Sequence, residues 1–350
     1  MSRDPTAWLV RAGRNGQRDD FALTEGLAGG GFADIADLTA VTERDEIAAL
    51  VRAANPDDSA NRIANYTGQL LALRSKIQTG DYIVLPLKTT KQVAVGVALG
   101  GYIYRDDPDP TLRHVIPVDW KQSDVPRTAI KQDLLYSIGS ALTVCQVTRN
   151  DAVQRIVQIA SKGVDPGARV EAIEEIAGAA EPLAGDGAIF DLEQVARDQI
   201  SNWIVEHFDG FALEELVAAV LEAEGFITQV SPQGGDGGVD IVAGSGPLGF
   251  DTPRLVVQVK SEAGPVKAKV ARELQGVMSS YGADQALLVA WGGVNTTARQ
   301  ELRNQFFQLR VWDADDLIDS IFKNYSRLPE SLRAELPLKQ VWTIVGEDRT

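Results

Sequence analysis

Along the first 120 positions apolar residues come in short β-branched or alternating runs, and this pattern predicts strands at Trp8–Arg11, Asp81–Pro86, Gln92–Ala98 and His114–Trp120. Gly80-Asp81 and Gly100-Gly101 supply turns, and helical spacing between the first two strands predicts helices over Glu43–Ala53 and Asn61–Ile77. A small, partly closed β-barrel with inserted helices fits this order. From about Ser123 to His207 the chain is rich in Ala, Glu and Ile at helical spacing, broken at Gly163-Val-Asp-Pro166 and Ala184-Gly-Asp-Gly187, and reads as a helical connector. Its last element, Asp191–Phe208, places Ile200, Ile204 and Phe208 on one stripe that packs on the following domain. Beyond it the pattern predicts a helix over Phe211–Glu224, strands near Ile227 and at Val239–Ala243 and Leu255–Lys260, and a helix over Val266–Tyr281. A strand at Gln285–Ala290, a helix at Thr296–Phe307, a strand at Leu309–Trp312 and a helix at Ala314–Phe322 complete a mixed sheet flanked by helices. The chain is thus expected to be a multi-domain α/β protein divided into 1–122, 123–207, 208–325 and a tail at 326–350, without internal repeats.

Composition narrows the chemistry. No apolar run approaches the roughly 20 residues that span a bilayer, and Met1-Ser-Arg-Asp-Pro5 has no apolar leader segment, so a cytoplasmic location is expected. The single Cys145 excludes an internal disulfide, and with only His114 and His207 beside it no Cys/His zinc cage can form. A net charge of −15 argues against broad adhesion to nucleic acid, though a local groove can be basic on an acidic body.

Three segments carry candidate chemistry. In Arg254-Leu-Val-Val-Gln-Val-Lys260 strand alternation puts Gln258 and Lys260 on one face and Val257 and Val259 on the other; a strand with one solvated face would look the same. In Gln233-Gly-Gly-Asp-Gly-Gly-Val-Asp-Ile-Val242 four glycines turn the backbone before a strand that opens on Asp240. No helix with Lys-Ser/Thr follows, which excludes a phosphate-binding P-loop, while a plain glycine hairpin stays open. In the helix starting at Phe211, Leu213, Leu216, Val217, Val220 and Leu221 form an apolar stripe with Glu214 at its edge and Glu215 pointing away; both acids also suit a first helical turn.

Taken together, Leu213-Glu-Glu-Leu-Val217, Glu224-Gly-Phe226, Asp236-Gly-Gly-Val-Asp-Ile241 and Val257-Gln-Val-Lys260 resemble the Mrr catalytic domain, a branch of the PD-(D/E)XK nuclease superfamily. The resemblance covers about a third of the chain and departs from the family pattern at Leu213, where Phe is usual. It implies a restriction-endonuclease-like fold and a Mg²⁺-dependent (or Mn²⁺-dependent) endodeoxyribonuclease with Glu214, Asp240, Gln258 and Lys260 as catalytic residues. Asp240, the Gln258 amide oxygen and the Val259 carbonyl would hold the ion, and Lys260 would orient the attacking water. A neutral Gln among the ligands implies a millimolar-range demand for the ion.

The first region resembles PUA/EVE-like domains in Gly80-Asp-Tyr-Ile-Val-Leu-Pro86, Val93–Val97, Gly101-Tyr-Ile-Tyr104 and His114–Trp120. That resemblance implies an aromatic pocket for a flipped, modified base, with Trp8, Tyr102, Tyr104 and Trp120 as its walls and Lys88 and Lys91 on phosphate; core filling would use the same aromatics. The expectation is a modification-dependent restriction enzyme in defence against foreign DNA, as a homodimer, because one catalytic core cuts one strand. A ligand-activated defence nuclease and a non-catalytic DNA-binding protein with a degenerate nuclease fold are the alternatives.

Overall fold

A short run of wholly buried residues, Ala7 to Val10, forms β1 and anchors the first sheet. The computed structural model describes residues 3–168, 191–232 and 238–342, in two units, one reaching Val195 and one starting at Ala196. In the first unit β1 is followed by α1 (Asp19–Glu25), β2 (Leu27–Gly29), α2 (Arg44–Ala54) and α3 (Ala60–Leu71), then by β3 (Tyr82–Pro86), β4 (Gln92–Ala98), β5 (Ile103–Tyr104) and β6 (His114–Pro126). After these come α4 (Gln132–Ser137), β7 (Val144–Gln146) and α5 (Ala152–Lys162).

The strands pair in the order β2-β6-β4-β3-β1-β7, with β5 also on β6, so the sheet curls as a half-barrel whose end strands β2 and β7 do not meet. Side chains alternate across it. Leu9, Val84, Val93, Val95 and Val125 face a core shared with α4 and α5, while Trp8, Val10, Ile83, Ile116 and Val118 face Leu73 and Ile77 beyond α3. Both faces are therefore covered, which suits strands with few polar positions.

The expected division at 122/123 falls inside β6, which continues to Pro126. Residues beyond it complete the first unit: β7 pairs antiparallel with β1 through Leu9 and Cys145, and Leu134, Leu135, Ile138, Ile156 and Ile159 fill its core. The segment to 165 is therefore part of the half-barrel unit, because its apolar stripes bury on β1, β3 and β4. The break expected at Ala184–Gly187 and Asp236 with its neighbouring glycines lie outside the described residues.

The second unit contains α7 (Phe211–Glu224), preceded by α6 (Leu192–His207), which starts in the first unit. Its strands are β8 (Ile227–Val230), β9 (Ile241–Ser245), β10 (Asp251–Lys260), β11 (Gln285–Ala290) and β12 (Leu309–Trp312), interleaved with α8 (Ala268–Val277), α9 (Thr296–Leu302), α10 (Ala314–Asn324) and α11 (Glu330–Glu335). The sheet order is β12-β11-β10-β9-β8: β10, β11 and β12 run parallel, and β9 is antiparallel to both β10 and β8. One face packs α7 and α10 through Leu216, Val217, Val257, Val259, Leu317 and Ile321. The other packs α8 and α9 through Val256, Leu274, Leu288 and Ala298. α7 buries Ala218 and Ala219 as well as the expected stripe, because α10 closes over its second side. The expected tail is also packed: Leu328 and Leu336 join the core, and the Tyr325 hydroxyl donates to the Leu336 carbonyl at 2.7 Å and accepts from the Leu338 N–H at 2.9 Å. Among the described residues no helix is long and apolar enough to cross a membrane.

Candidate functional site

The site grows from the alternation of β10. Val257 and Val259 enter the core under α7 and α10, and Val256 enters the core under α8, so Gln258 and Lys260 project on the face of Val256. Across the ladder Val256 opposes Val242 and Val257 opposes Ile241, and one more step of that register sets Asp240 opposite Gln258. Asp240 is held there by its own backbone, its N–H donating to the Val257 carbonyl at 2.9 Å and its carbonyl accepting from the Ser231 N–H at 2.8 Å. Its carboxylate does structural work too: Oδ2 accepts the Val259 N–H at 2.6 Å, taking the place of a backbone rung.

This bond also orients a second oxygen. A strand residue sends its N–H and C=O to the same side, so the Val259 carbonyl faces the side of Asp240. The neighbouring Lys260 carbonyl faces β11 instead and accepts the Trp291 N–H at 2.8 Å. The next residue, Gly292, has no room for a side chain: a Cβ there would lie 2.4 Å from the Gly264 carbonyl oxygen and 2.5 Å from that of Ala263. The chain leaving β10 is thereby held beneath the end of β11.

Gln258 is only 8 % exposed, and its Oε1 is buried without a hydrogen-bond partner. Buried amide oxygens are normally satisfied, so an orphan beside a carboxylate is a functional signal. Gly238, at φ +87°, lets the chain pass close by; its Cβ position would be 3.6 Å from Gln258 Nε2. Lys260 is half-buried and forms no ion pair with a carboxylate among the described residues. Oxygen donors of this kind, one carboxylate, one amide and one backbone carbonyl, suit a hard divalent cation such as Mg²⁺. Among the described residues no group of three His, Cys, Asp or Glu could hold a metal.

Glu214 sits in the first turn of α7, which covers the Val257 and Val259 face. Its apolar neighbours Leu213, Leu216 and Val217 pack on that face, while Glu214 itself lies at the edge of the stripe. Glu224, in the Glu-Gly-Phe segment, serves packing: it accepts from Asn324 Nδ2 at 2.7 Å and from Lys323 Nζ at 3.0 Å, joining the end of α7 to α10.

In the first unit the aromatic candidates divide. Trp8 is 4 % exposed and its indole N–H donates to Thr6 Oγ1 at 2.8 Å, while the Trp120 N–H donates to the Ala22 carbonyl at 2.8 Å; Trp8 is core filling and Trp120 is tied to it. Tyr102 and Tyr104 converge instead on His114, with ring centroids 5.9 and 5.2 Å from the imidazole. His114 is fully buried, with Nε2 3.0 Å from the Ile35 carbonyl and Nδ1 2.8 Å from the Tyr102 hydroxyl. A carbonyl only accepts, so Nε2 carries the proton and Nδ1 accepts from Tyr102. Burial foremost pushes the imidazole pKa down, keeping the ring neutral.

Lys88, expected on phosphate, is bound within the protein: its ammonium lies 2.6 Å from Asp191 Oδ2, beside the Arg11 guanidinium at 3.3 Å. Burial would raise the Asp191 carboxyl, but these cations hold it below the usual range. Lys91, at φ +56°, occupies a left-handed turn position. Sequence reasoning missed several buried charges, Arg155 and Arg18 among them. Arg155 is held by Asp165 and Asp133, and Arg18, in the polar stretch Gly13-Arg-Asn-Gly-Gln-Arg18, is 5 % exposed.

Residues 205–321, within the span of the second unit and the end of α6, match the Mrr_cat family model, described as a restriction endonuclease. Residues 8–139 match a second model, a domain of unknown function, DUF8426. Among solved structures the chain is similar to the MspJI restriction endonuclease in complex with a 27-mer oligonucleotide, at 16 % identity and a TM-score of 0.32, covering 94 % of this chain and 79 % of that one. It is also similar to the DNA modification-dependent restriction endonuclease AspBHI, at 14 % identity and a TM-score of 0.33, covering 89 % and 79 %. A protein of unknown function, AF1548, matches at 18 % identity and a TM-score of 0.26 over 36 % of this chain and 78 % of that one. No curated protein matches the chain.

Proposed function

We propose that the second unit is a metal-dependent endodeoxyribonuclease and that the first unit makes its action depend on the state of the DNA, as in a modification-dependent restriction enzyme directed at foreign DNA. The observation that carries this reading is the placement of Asp240, Gln258 and Lys260 on one face at the end of β10, with Gln258 Oε1 buried and unpartnered. The match to a restriction-endonuclease family model over the same residues supports it.

In this reading Asp240, Gln258 Oε1 and the Val259 carbonyl would hold Mg²⁺ or Mn²⁺, which would supply positive charge beside the scissile phosphate. Lys260 stands one strand position beyond Val259, where its ammonium holds the attacking water against phosphorus and stabilises the charge that develops on the phosphorane oxygens. Asp240 is fixed in orientation by the Val259 N–H, so it needs no rearrangement to serve as a ligand. One such core cuts one strand, and the active species is a homodimer when both strands are cut. Tyr104 is the aromatic of the first unit best placed to meet a base, with Tyr102 beside the same imidazole, since Trp8, Trp120 and the Tyr102 hydroxyl are tied to partners within the unit.

The test is cleavage of duplex DNA, unmodified and carrying methylated or hydroxymethylated cytosine or methylated adenine, with Mg²⁺ or Mn²⁺. Cutting of a modified substrate that stops on chelation and in Lys260→Met is the expected result. Full cutting by both Asp240→Asn and Lys260→Met, or no cutting by the wild type with any metal and substrate, removes the reading.

A further inference from the structure

Arg18 immediately precedes α1 in the first unit, and its guanidinium is buried with Nε and Nη2 lacking any hydrogen-bond partner. Those two N–H groups form one edge of the guanidinium. They point in parallel and match two oxygens of a single carboxylate or phosphate.

Two other covered arginines of this unit, Arg155 and Arg74, use that edge fully. Arg155 gives Nε to Asp165 Oδ1 at 2.8 Å and Nη2 to Asp165 Oδ2 at 2.6 Å. Arg74 gives Nε and Nη2 to the carbonyls of Leu38 and Thr39 at 2.8 and 2.9 Å. On Arg18 both atoms of that edge are buried and unfilled, although carboxylates lie near enough to act on it through space. Asp19 is turned to the backbone N–H groups of Lys88 and Thr89 at 2.8 and 3.0 Å, and Asp109 to the Thr111 N–H at 2.9 Å. Neither completes the edge.

Glycine backbone keeps side chains away from it. A Cβ on Gly30 would stand 2.8 Å from Arg18 Nε and 2.9 Å from Cδ, and one on Gly13 would stand 3.5 Å from Cζ. Both glycines have positive φ, +87° and +94°, a conformation that disfavours any side chain. A buried guanidinium without an acceptor is unfavourable for the fold, and it is a pre-set receptor for a ligand that supplies the acceptor.

We propose that Arg18 anchors a second ligand site, in the first unit, that binds a compact oxyanion, a phosphate or carboxylate group of a small molecule, through Nε and Nη2 side by side. At 5 % exposure the guanidinium is out of reach of the side of a duplex, so the proposed ligand is the terminal group of a small molecule and not the DNA backbone. The proposal stands independently of the nuclease reading.

The experiment uses the full chain, with thermal unfolding and titration calorimetry in sodium phosphate, sodium acetate and a nucleoside 5′-monophosphate, each against sodium chloride at equal ionic strength. The wild type is expected to show a saturable heat and a rise in unfolding midpoint with at least one of the three, and the arm that responds identifies the source of the oxyanion. Arg18→Met is expected to lose the response while unfolding no earlier than ligand-free wild type, because it removes an unpartnered buried cation. Arg18→Lys keeps the charge without the paired N–H groups and is expected to bind at least tenfold more weakly; it decides the matter if the Met variant does not fold. No response beyond chloride in the wild type, or an equal response in Arg18→Lys, overturns the proposal.

Discussion

The carboxylate of Asp240 accepts the backbone N–H of Val259 at 2.6 Å, so one side chain of the candidate site also closes the β9–β10 ladder. Asp240→Asn keeps an acceptor for that N–H and removes the charge. Cleavage should fall at least about 100-fold, with unfolding free energy within about 1 kcal/mol of wild type. Asp240→Leu leaves the N–H buried and unpaired and should lower stability by about 1–3 kcal/mol. Urea unfolding of the two variants checks this; equal stability would show that the bond has no structural role.

Gln258 gives an opposite pair of outcomes. Because Oε1 has no partner, Gln258→Leu should leave stability unchanged or raise it while cleavage is lost. Gln258→Glu buries a second carboxylate across from Asp240, so the metal-free variant should be less stable than wild type, and Mg²⁺ should restore it. The Mg²⁺ concentration for half-maximal cleavage should drop about tenfold, a change of about 1.4 kcal/mol in binding. Unfolding midpoints across a Mg²⁺ series report the first effect, and cleavage rates the second.

Lys260→Met should reduce the cleavage rate by about 100-fold or more, the range of a lost proton-transfer or charge-stabilising group. DNA affinity, measured by anisotropy with Ca²⁺ in place of Mg²⁺, should change only a few-fold. A large loss of affinity at an intact cleavage rate would assign Lys260 to DNA binding alone.

In the first unit Arg155 links two carboxylates, bonding Asp165 through Nε and Nη2 and Asp133 through Nη1 at 2.5 Å. Arg155→Met strands buried Asp165 and should cost about 3–5 kcal/mol of stability. Burial would raise the Asp165 carboxyl, but Arg155 and the Gly167 and Lys131 N–H groups bring it below its ordinary value of 3.8. A depressed carboxyl stabilises the fold fully above that value and loses its contribution as pH falls through the lower folded-state pKa. Acid unfolding of Asp165→Asn, followed from pH 5 to pH 2, should be correspondingly flatter.

His114 acts in a higher range. Burial lowers its pKa from 6.5, so the unfolded chain takes up the proton first as pH falls. Stability should be constant above about pH 7 and decline below 6.5 toward the folded-state pKa. His114→Gln should remove most of that slope; an unaltered slope would place the titrating group elsewhere.

These relationships are unequally legible in the sequence. The alternation in Val256-Val-Gln-Val-Lys260 assigns faces because the strand period is two, and Gln285–Ala290 and Leu309–Trp312 are legible to their observed limits since each is a short apolar run between polar turns. The end of β6 is not legible, because Lys121-Gln-Ser-Asp124 is polar and its pairing with β4 passes through two register shifts, yet the strand continues and Gln92 donates to the Asp124 carbonyl. β7 is three residues long and exists only through its pairing with β1, a contact far removed in sequence. Trp8 and Trp120 show the same limit: a large aromatic reads equally as pocket wall and as core, and only the indole N–H partner separates the two. Glu214 is legible as part of a helix, but which face of the sheet that helix covers depends on the tertiary fold.

Loss of activity need not begin at the groups that meet the substrate. With Trp291 latched to the Lys260 carbonyl and Gly292 pressed on the carbonyls of residues 263 and 264, the far end of a neighbouring strand sets where the ammonium of Lys260 stands. Even a methyl group added at Gly292 would be transmitted there as displacement, so a chain retaining all three polar groups could be silenced from a position that supplies none of them.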